Sequence, residues 1–345
     1  MRAMLLRKPA PLAERPRPLE AAEVPAPVPA AGELLVQVSV CGVCRTDLDL
    51  AEGRLAAPAY PLIPGHQVVG RVAAAGPGAA AFREGDRVGV AWIHSACGRC
   101  RWCAAGFENL CPGFRATGCD VDGGYAEFLR VPEAFAHAIP AGLDDAAVAP
   151  LLCAGAVGWR ALRLANLDDG EPLGLTGFGA SGHLVLQTAR HRYPRSPVYV
   201  FARSPGEREF ARQLGADWTG DTADAPPQPM MAVIDTTPAW KPDLAALLHL
   251  APGGRLVINA IRKEAGDRDE LSRLDYATHL WREKEIKSVA NVTRADVREF
   301  LQAAAELKLS ATHTEVPLDE ANEALGWLRS GQAIRGSRVL RVADD

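Results

Sequence analysis

One stretch restricts the fold more than any other: a short apolar segment, a turn with three glycines, and a helical pattern. The apolar segment Leu173–Thr176 predicts a buried strand, and Ser181–His191 predicts a helix. Between them Gly177, Gly179 and Gly182 have the spacing G-x-G-x-x-G. Such glycines permit a tight turn, close approach of the backbone to a pyrophosphate, and close strand–helix packing. In this context the motif indicates a dinucleotide-binding unit.

The same rhythm continues beyond this turn. Further apolar strands are predicted at Val198–Phe201, Met231–Ile234 and Arg255–Asn259, with helical patterns at Glu207–Leu214 and Asp243–Leu250 between them. Alternating strands and helices predict βαβ units and a parallel sheet. Strands that are apolar throughout are typical of sheets covered on both faces.

The first 150 residues have a different pattern, with short strands separated by glycine, proline and aspartate turns. The predicted strands are Glu33–Val40, Val68–Ala75, Arg87–Val90 and Tyr125–Val131. Helical patterns return at 294–307 and 319–330, before a closing strand. A chain of 345 residues exceeds one typical core, so we expect two domains, one mostly β and one α/β.

Four cysteines lie in one short loop, in the order Cys97-x-x-Cys100-x-x-Cys103-x7-Cys111. Four thiolates can close a tetrahedral shell around Zn²⁺ and leave no open position, which is typical of a structural site. A loop with little core of its own would depend on the metal to fold. The alternatives are four unrelated thiols or a redox cluster.

The residue about 20 positions beyond the glycines usually separates NAD from NADP, because an acidic side chain there binds the ribose hydroxyls. Here that position is Ala202, followed by Arg203 and Ser204. Both polar residues could hold a 2′-phosphate, which favours NADP(H) and leaves NAD(H) as the alternative. Arg203 could instead stack on the adenine or face solvent.

Charge and hydropathy exclude other classes of function. The net charge is −4, so no basic field exists to attract nucleic acid or an anionic membrane. No apolar run approaches the roughly 18 residues of a membrane helix, and the N-terminal stretch lacks the core of a signal peptide. We therefore expect a cytoplasmic location, where eight cysteines favour metal binding or catalysis over disulfides.

Several stretches together resemble the zinc-dependent medium-chain alcohol dehydrogenases over essentially the full chain. They are CGVCRTD (41–47), PLIPGHQVVG (61–70), GDRVGV (85–90), the four-cysteine loop, DGGYAEF (122–128), APLLCAG (149–155) and GFGASG (177–182). The chain is especially similar to the bacterial branch related to cinnamyl-alcohol-type dehydrogenases. The resemblance implies an α/β fold with a GroES-like β-rich catalytic domain and a Rossmann domain with a doubly wound parallel sheet.

The resemblance also implies a catalytic zinc held by Cys44, His66 and Cys153. Three protein ligands with one open position are the catalytic arrangement, and this Cys2His set is the one found in alcohol dehydrogenases. Zinc there polarises a carbonyl or lowers the pKa of an alcohol. Taken singly, each residue could equally be a buried core side chain.

Other roles are implied by position. Thr46 should bind the substrate oxygen and begin a proton relay, and Asp47 should orient His66. Arg45 and Arg338 should reach the pyrophosphate. Trp92 should line and narrow the substrate pocket, with plain core packing as the alternative.

Two positions depart from the family pattern. Gln67 stands where a glutamate usually follows the zinc histidine, which removes a negative charge near the metal. Asp49 stands where many members carry the histidine that ends the relay. A carboxylate can still pass a proton to water, and neither change touches a zinc ligand, so activity is expected.

The resulting prediction is a zinc- and NAD(P)-dependent enzyme that interconverts alcohols with aldehydes or ketones. Residues 1–154 and 292–345 are expected to form the catalytic domain with both zincs, and 155–291 the Rossmann domain, with the active site in the cleft between them. A homodimer or homotetramer is expected. The alternatives are a polyol or formaldehyde dehydrogenase on the same fold, or a catalytically silent zinc- and nucleotide-binding protein.

Overall fold

A computed structural model of the protein describes residues 1–309, 311–330 and 336–343. The chain divides into two compact units. Unit 1 comprises Met1–Ala156 and Asn291–Asp345, and unit 2 comprises Val157–Ala290. Unit 2 is therefore an insertion in the sequence of unit 1.

The described residues form short strands and helices. In chain order the strands are β1 (Arg2–Leu6), β2 (Leu19–Glu23), β3 (Glu33–Val43), β4 (Val68–Ala75), β5 (Arg87–Val90), β6 (Ile93–Ser95), β7 (Arg115–Ala116), β8 (Phe128–Pro132), β9 (Ala136–Ala138), β10 (Leu173–Thr176), β11 (Val198–Phe201), β12 (Trp218–Gly220), β13 (Met230–Asp235), β14 (Leu250–Ile258), β15 (Glu285–Ser288), β16 (His313–Pro317) and β17 (Ser337–Arg341). The α-helices are α1 (Arg45–Ala51), α2 (Arg101–Ala104), α3 (Asp145–Val148), α4 (Ala154–Ala165), α5 (Gly182–Arg192), α6 (Pro205–Gln213), α7 (Lys241–His249), α8 (Arg294–Glu306) and α9 (Ala321–Arg329). Short 3₁₀ segments lie at Glu108–Leu110, Glu133–Phe135, Ala149–Leu152, Arg268–Arg273 and Leu318–Glu320, and a π-helical turn at Tyr276–Leu280.

Unit 2 is built on a six-stranded parallel sheet in the order β12-β11-β10-β13-β14-β15. Numbered within the unit, that order is 3-2-1-4-5-6, the doubly wound arrangement of dinucleotide-binding folds. The prediction of a Rossmann-type parallel sheet is therefore confirmed.

Both faces of this sheet are covered, which explains why its strands are apolar throughout. Side chains alternate between faces along a strand. In β11, Val198 and Val200 belong to one buried cluster, and Tyr199 and Phe201 belong to another. The sheet is thus the middle layer between two apolar cores.

Unit 1 is mostly β, as predicted. Its main sheet has the order β16-β17-β3-β4-β5-β9, and β8 pairs with the other end of β3. Only β16 and β17 pair in parallel among these described strands. Two-stranded pairs β1-β2 and β6-β7 complete the unit's strands in the described part of the chain. The long strand β3 buries Leu34, Val36, Val38 and Val40 as an alternating apolar row and leads directly into α1.

Across the described residues, none of the helices alone has the length and apolar character to cross a membrane. The bent pair Asp145–Leu152 and Ala154–Ala165 meets that test together, by length and composition only.

Candidate metal and dinucleotide sites

Three separate segments of unit 1 bring two thiols and an imidazole together. Cys44 caps the N-terminus of α1, His66 lies just before β4, and Cys153 follows the 3₁₀ segment Ala149–Leu152. Sγ of Cys44 is 3.3 Å from Nε2 of His66. The ligand atoms of all three residues lie within 4.8 Å of one another. This spacing lets one metal ion contact all three.

Asp47 holds two of these three residues in place. Its Oδ1 lies 3.3 Å from Nδ1 of His66, on the side of the ring away from Cys44. Its Oδ2 accepts a 2.9 Å hydrogen bond from the backbone N–H of Cys44. Neither Asp47 Oδ1 nor His66 Nδ1 has another hydrogen-bond partner among the described residues. Nε2 of His66 is therefore the nitrogen presented to a metal.

The pKa values show that this cluster attracts positive charge. A hydrogen bond from Cys153 lowers the pKa of Cys44 well below its usual value, with the nearby His66 acting in the same direction. Burial disfavours the charged form of His66, but the Cys44 thiolate and the Asp47 carboxylate together raise its pKa to about 10. The Cys44 thiolate and the Asp47 carboxylate thus hold a proton tightly on His66, where a cation would bind. The donors fit a Zn²⁺ ion.

Three further residues lie around the cluster. Trp92 is buried and meets His66 edge-on, with ring centroids 4.9 Å apart. The backbone N–H of Thr46 donates to Sγ of Cys44 at 3.3 Å. Gln67 packs against Gly42, where a Cβ would come within 2.3 Å of the amide oxygen. That oxygen is buried without a hydrogen-bond partner among the described residues.

Asp49 also lies in α1 and is completely buried. Its carboxylate accepts a 2.7 Å hydrogen bond from Nε of Arg54. Sequence reasoning predicted Asp49 as the end of a proton relay but missed Arg54. The only sequence signal was a basic residue five positions after a carboxylate.

The motif DGGYAEF also contributes Tyr125, for which the sequence predicts no role. Its side chain is completely buried, and its hydroxyl has no hydrogen-bond partner among the described residues. Burial, with the nearby Asp47 carboxylate, raises the pKa of this phenol well above its usual value. The ring packs over Gly65, where a Cβ would lie 2.4 Å from it. Gly65 adjoins His66, so the tyrosine ring shapes the backbone that carries this imidazole.

The four-cysteine loop forms a second cluster in unit 1. The Sγ atoms of Cys97, Cys100, Cys103 and Cys111 all lie within 4.8 Å of one another. Hydrogen bonds from the backbone N–H groups of Arg99 and Cys100 lower the pKa of Cys97 to about 6. The four thiols are therefore one assembled site rather than unrelated groups, and each is a free cysteine.

This loop is tied to the second segment of unit 1. Glu108 lies within the loop and is nearly buried, and its Oε1 accepts a 2.8 Å hydrogen bond from Nε of Arg294. Arg294 begins α8, and its guanidinium lies 4.8 Å from the ring centroid of Phe135. The ion pair thus fixes the loop on the body of the unit.

The glycine-rich turn in unit 2 leads from β10 into α5. Gly177 has φ of +78°, and a Cβ there would lie 2.8 Å from Thr237. A Cβ on Gly182 would lie 2.6 Å from the carbonyl oxygen of Gly177. Around Gly179 no heavy atom lies within 4 Å of the Cβ position. Two glycines thus close the turn, and the middle one leaves space where a phosphate can approach the backbone.

The end of β11 is polar and basic. Ala202 is buried, Arg203 is exposed, and Ser204 precedes α6 without capping it through its side chain. Sequence reasoning missed Arg208, whose Nη1 donates to the carbonyl oxygens of Ala202 at 2.7 Å and Arg203 at 3.1 Å. A basic residue one helical turn beyond Ser204 was the signal available.

The two arginines predicted to reach a pyrophosphate lie at one end of the main sheet of unit 1. Arg338 in β17 stands opposite Val43 in β3, two residues before Arg45. Arg45 is exposed. The guanidinium of Arg338 lies 4.9 Å from the ring centroid of Trp327.

Comparisons with known proteins agree on one family. The Alcohol dehydrogenase GroES-like domain matches residues 30–141. The probable alcohol dehydrogenase AdhA of Mycobacterium tuberculosis is 45% identical, with 99% of this chain and 97% of the relative covered. An alcohol dehydrogenase of Geobacillus stearothermophilus is 35% identical, with coverage of 94% and 97%.

Solved structures show the same likeness. A cobalt- and zinc-bound thermostable alcohol dehydrogenase from Pyrobaculum aerophilum superposes with a TM-score of 0.86 at 28% identity, covering 99% of each chain. A cinnamyl alcohol dehydrogenase from Sorghum bicolor gives a TM-score of 0.84 at 27% identity, covering 100% of this chain and 98% of its own.

Proposed function

This chain belongs to the medium-chain alcohol dehydrogenase family, and we propose that it is a zinc-dependent enzyme that uses NADP(H). It would move a hydride between the nicotinamide and the reacting carbon of a small alcohol or aldehyde. One observation carries the proposal: Cys44, His66 and Cys153 converge from three segments around a single point. No spacing rule in the sequence requires that convergence.

The three residues supply the donors of a catalytic zinc. Cys44 and Cys153 would bind through Sγ and His66 through Nε2, leaving a fourth position for the substrate oxygen. Bound zinc acts as a Lewis acid, polarising a carbonyl or lowering the pKa of an alcohol. Asp47 orients the imidazole, a contact that raises the basicity of a ligating histidine.

Residues of this chain then handle the substrate and its proton. We assign Thr46 to bind the substrate oxygen through its hydroxyl and to pass on the alcohol proton. Asp49, on the same short helix, is the proposed end of the relay, with Arg54 holding its carboxylate. Trp92 stands edge-on to His66 and would narrow the space beside the reacting carbon. This wall favours planar or slender substrates.

The four clustered thiols would hold a second zinc with a closed shell. Four Sγ atoms within reach of one ion leave no position for substrate. Its role would be structural, since the loop has few buried apolar residues of its own.

Unit 2 would bind the dinucleotide. Gly177, Gly179 and Gly182 form the turn that receives the pyrophosphate, and the N-terminus of α5 offers N–H groups to it. Arg45 and Arg338 are proposed to add positive charge to the same phosphates.

The 2′-phosphate of NADP(H) would be bound at the end of β11. Ala202 offers no carboxylate for the ribose hydroxyls of NAD, whereas Arg203 and Ser204 offer a cation and a hydroxyl. The neighbouring Arg208 adds a second guanidinium to this corner. A phosphate dianion therefore meets favourable charge here.

We further propose a homo-oligomer in the cytoplasm. In unit 2, β15 is the last strand of the sheet and all four of its residues are exposed. Ile286 and Trp281 are 48% and 58% exposed beside this edge. Pairing of two such edges would cover both. The cytoplasm fits eight free cysteines, because thiols are kept reduced there.

The test is the initial rate of benzaldehyde reduction by zinc-loaded protein, with NADPH and NADH in parallel. Turnover with a strong preference for NADPH is the expected result. Turnover that prefers NADH would retain the enzyme and reject the proposed roles of Arg203 and Ser204. Absence of turnover with both cofactors, across a panel of aldehydes and polyols, would support a catalytically silent zinc- and nucleotide-binding protein.

A further inference from the structure

A buried ion cluster in unit 2 has no part in the function proposed above. Nζ of Lys263 lies 2.6 Å from Oδ2 of Asp235 and 2.6 Å from Oδ2 of Asp243. The three side chains are only 8%, 0% and 4% exposed, respectively. Asp235 ends β13, Asp243 lies in the first turn of α7, and Lys263 lies in the loop after β14. One lysine thus joins three elements beneath the surface.

Lys263 also binds the backbone that follows β13. Its Nζ donates to the carbonyl oxygen of Ala239 at 2.8 Å and of Thr237 at 3.2 Å. These carbonyls belong to the connection between β13 and α7. The ammonium group therefore fixes the path of that connection, in addition to balancing charge.

Asp235 carries the network on to β10. Its Oδ1 accepts hydrogen bonds from the hydroxyl of Thr176 at 2.5 Å and the hydroxyl of Thr237 at 2.8 Å. Thr236 donates through its backbone N–H to the carbonyl of Thr176 at 2.9 Å. Thr236 and Thr237 are the residues that a Cβ on Gly177 would strike. The network ends against the first glycine of the phosphate-binding turn.

The network lies at the position in the sheet where a dinucleotide is expected to bind. β10 lies between β11 and β13, so the chain order reverses direction at β10 and β13. In open parallel sheets, ligands bind at the carboxyl ends of the strands where that reversal occurs. Thr176 and Asp235 are the last residues of those two strands. We infer that Lys263 is a positioning residue for the dinucleotide, because it locks the β13–α7 connection against the glycine-rich turn. This inference rests on the proposed dinucleotide-binding function.

Charge balance supports a positioning role over a stabilising one. Burial, and then the neighbouring Asp235, raise the pKa of Asp243 to about 7, so one lysine serves two carboxylates that compete for it. Buried ion pairs are weak sources of net stability: replacing a whole pair by apolar residues is often neutral, whereas removing one partner leaves the other charge uncompensated. Lys263 also donates hydrogen bonds to two backbone carbonyls and so fixes the conformation of the connection. A methionine would fill the same space but could not make these bonds.

The experiment compares wild type with Lys263→Met and Lys263→Arg in zinc-loaded protein. Binding of NADPH is measured by the change in tryptophan fluorescence, and steady-state kinetics give the KM for NADPH, the KM for benzaldehyde and kcat. Lys263→Met should raise the Kd and KM for NADPH by about tenfold, as expected when a buried charged hydrogen-bonding group is lost. The KM for benzaldehyde and kcat at saturating NADPH should change less than about twofold. Lys263→Arg keeps a cation that can donate to the two carbonyls, so it should recover part of the binding.

Lys241→Met is the matched control, because Lys241 is exposed at the start of α7 and should leave every constant unchanged. Wild type that binds no dinucleotide would overturn the proposed function and this inference together. Wild type that binds NADPH, with Lys263→Met binding equally well, would overturn the inference alone. If Lys263→Met does not fold, Thr237→Val decides: the loss of its bond to Asp235 should weaken NADPH binding, and unchanged binding would overturn the inference.

Discussion

Two nitrogens of Arg54 contact the buried carboxylate of Asp49: Nε and Nη2 each lie 2.7 Å from the same oxygen, Oδ1. The aspartate side chain is 1% exposed, whereas the arginine is 33% exposed. The proposed end of the proton relay is therefore held by a cation that reaches solvent. The contribution of this ion pair to the stability of α1 can therefore be measured separately from the proposed role of Asp49 in proton transfer.

Replacing Arg54 by methionine leaves Asp49 buried without this cation. We expect the free energy of unfolding to fall by about 1.5–3 kcal/mol, the contribution of a hydrogen bond between charged groups. The double variant Arg54→Met with Asp49→Asn should be more stable than Arg54→Met alone, because an amide costs less to bury than a carboxylate. Urea unfolding of the four proteins measures both values, and simple additivity would show that the pair is not coupled.

Loss of a ligand should remove the proposed catalytic zinc alone. Cys153→Ser is expected to bind one zinc per chain where wild type binds two, and to lose turnover while keeping a cooperative thermal transition. Metal content by atomic emission and aldehyde reduction provide the measurement. Cys119→Ser is the control, since this buried cysteine lies outside both thiol clusters. Full turnover by Cys153→Ser would remove the residue from the catalytic set.

The four-cysteine loop should depend on metal for its stability. Cys103→Ser is expected to lower both the zinc content by one and the melting temperature, because the loop folds around the ion. Glu108→Gln, which weakens the contact to Arg294, should lower the melting temperature less and keep both zincs. An unchanged melting temperature for Cys103→Ser would argue against a structural metal.

Buried His137 predicts a loss of stability in acid. Burial, and then the charges of Arg298 and Arg294, lower its pKa to about 3, whereas the unfolded value is near 6.5. Between these values the unfolded chain binds more protons, so stability falls as the pH drops from about 6.5 toward 3. The slope from this group is about 1.4 kcal/mol per pH unit well below pH 6.5. His137→Phe should reduce the dependence of the free energy of unfolding on pH between pH 5 and 7. His191→Phe is the control: His191 is exposed, so its replacement should leave that pH dependence unchanged.

Cofactor choice can be tested at the end of β11. Arg203→Ala should raise the KM for NADPH by about tenfold, since a charge-assisted contact with phosphate is lost. The KM for NADH should change little, because that cofactor lacks the 2′-phosphate. Arg195→Ala is a suitable control, because Arg195 is an exposed arginine of the same unit that pairs with Asp169. Equal effects on both cofactors would assign Arg203 to the adenine instead.

The strands of unit 2 were predictable because burial on both faces leaves a uniform apolar signal. The predicted bounds of β10 and β11, Leu173–Thr176 and Val198–Phe201, are those observed. The start of β14 was wrong: the strand begins at Leu250 rather than Arg255. Pro252, Gly253 and Gly254 interrupt the apolar pattern before Arg255, but the strand continues through them with an irregular register.

Of the candidate metal sites, only the one whose residues are close together in sequence could be predicted from spacing. The four-cysteine cluster was visible because its ligands are neighbours in sequence. Cys44, His66 and Cys153 are spread over 110 residues, so only the family resemblance could group them. Contacts such as Lys263 with Asp235 join separate elements through side chains alone, and periodicity carries no record of them.

The order of segments along the chain determines when each part of unit 1 is synthesised. Residues Val40–Val43 of β3 pair with β17, which the ribosome makes only after all of unit 2. At about 5–20 residues per second, translation of residues 157–290 alone takes roughly 7–27 seconds. The clustered thiols therefore leave the exit tunnel well before β17, the strand that pairs with the end of β3 next to Cys44. The proposed metal ligands are thus made before unit 1 can close, and the whole of unit 2 is translated between those two points.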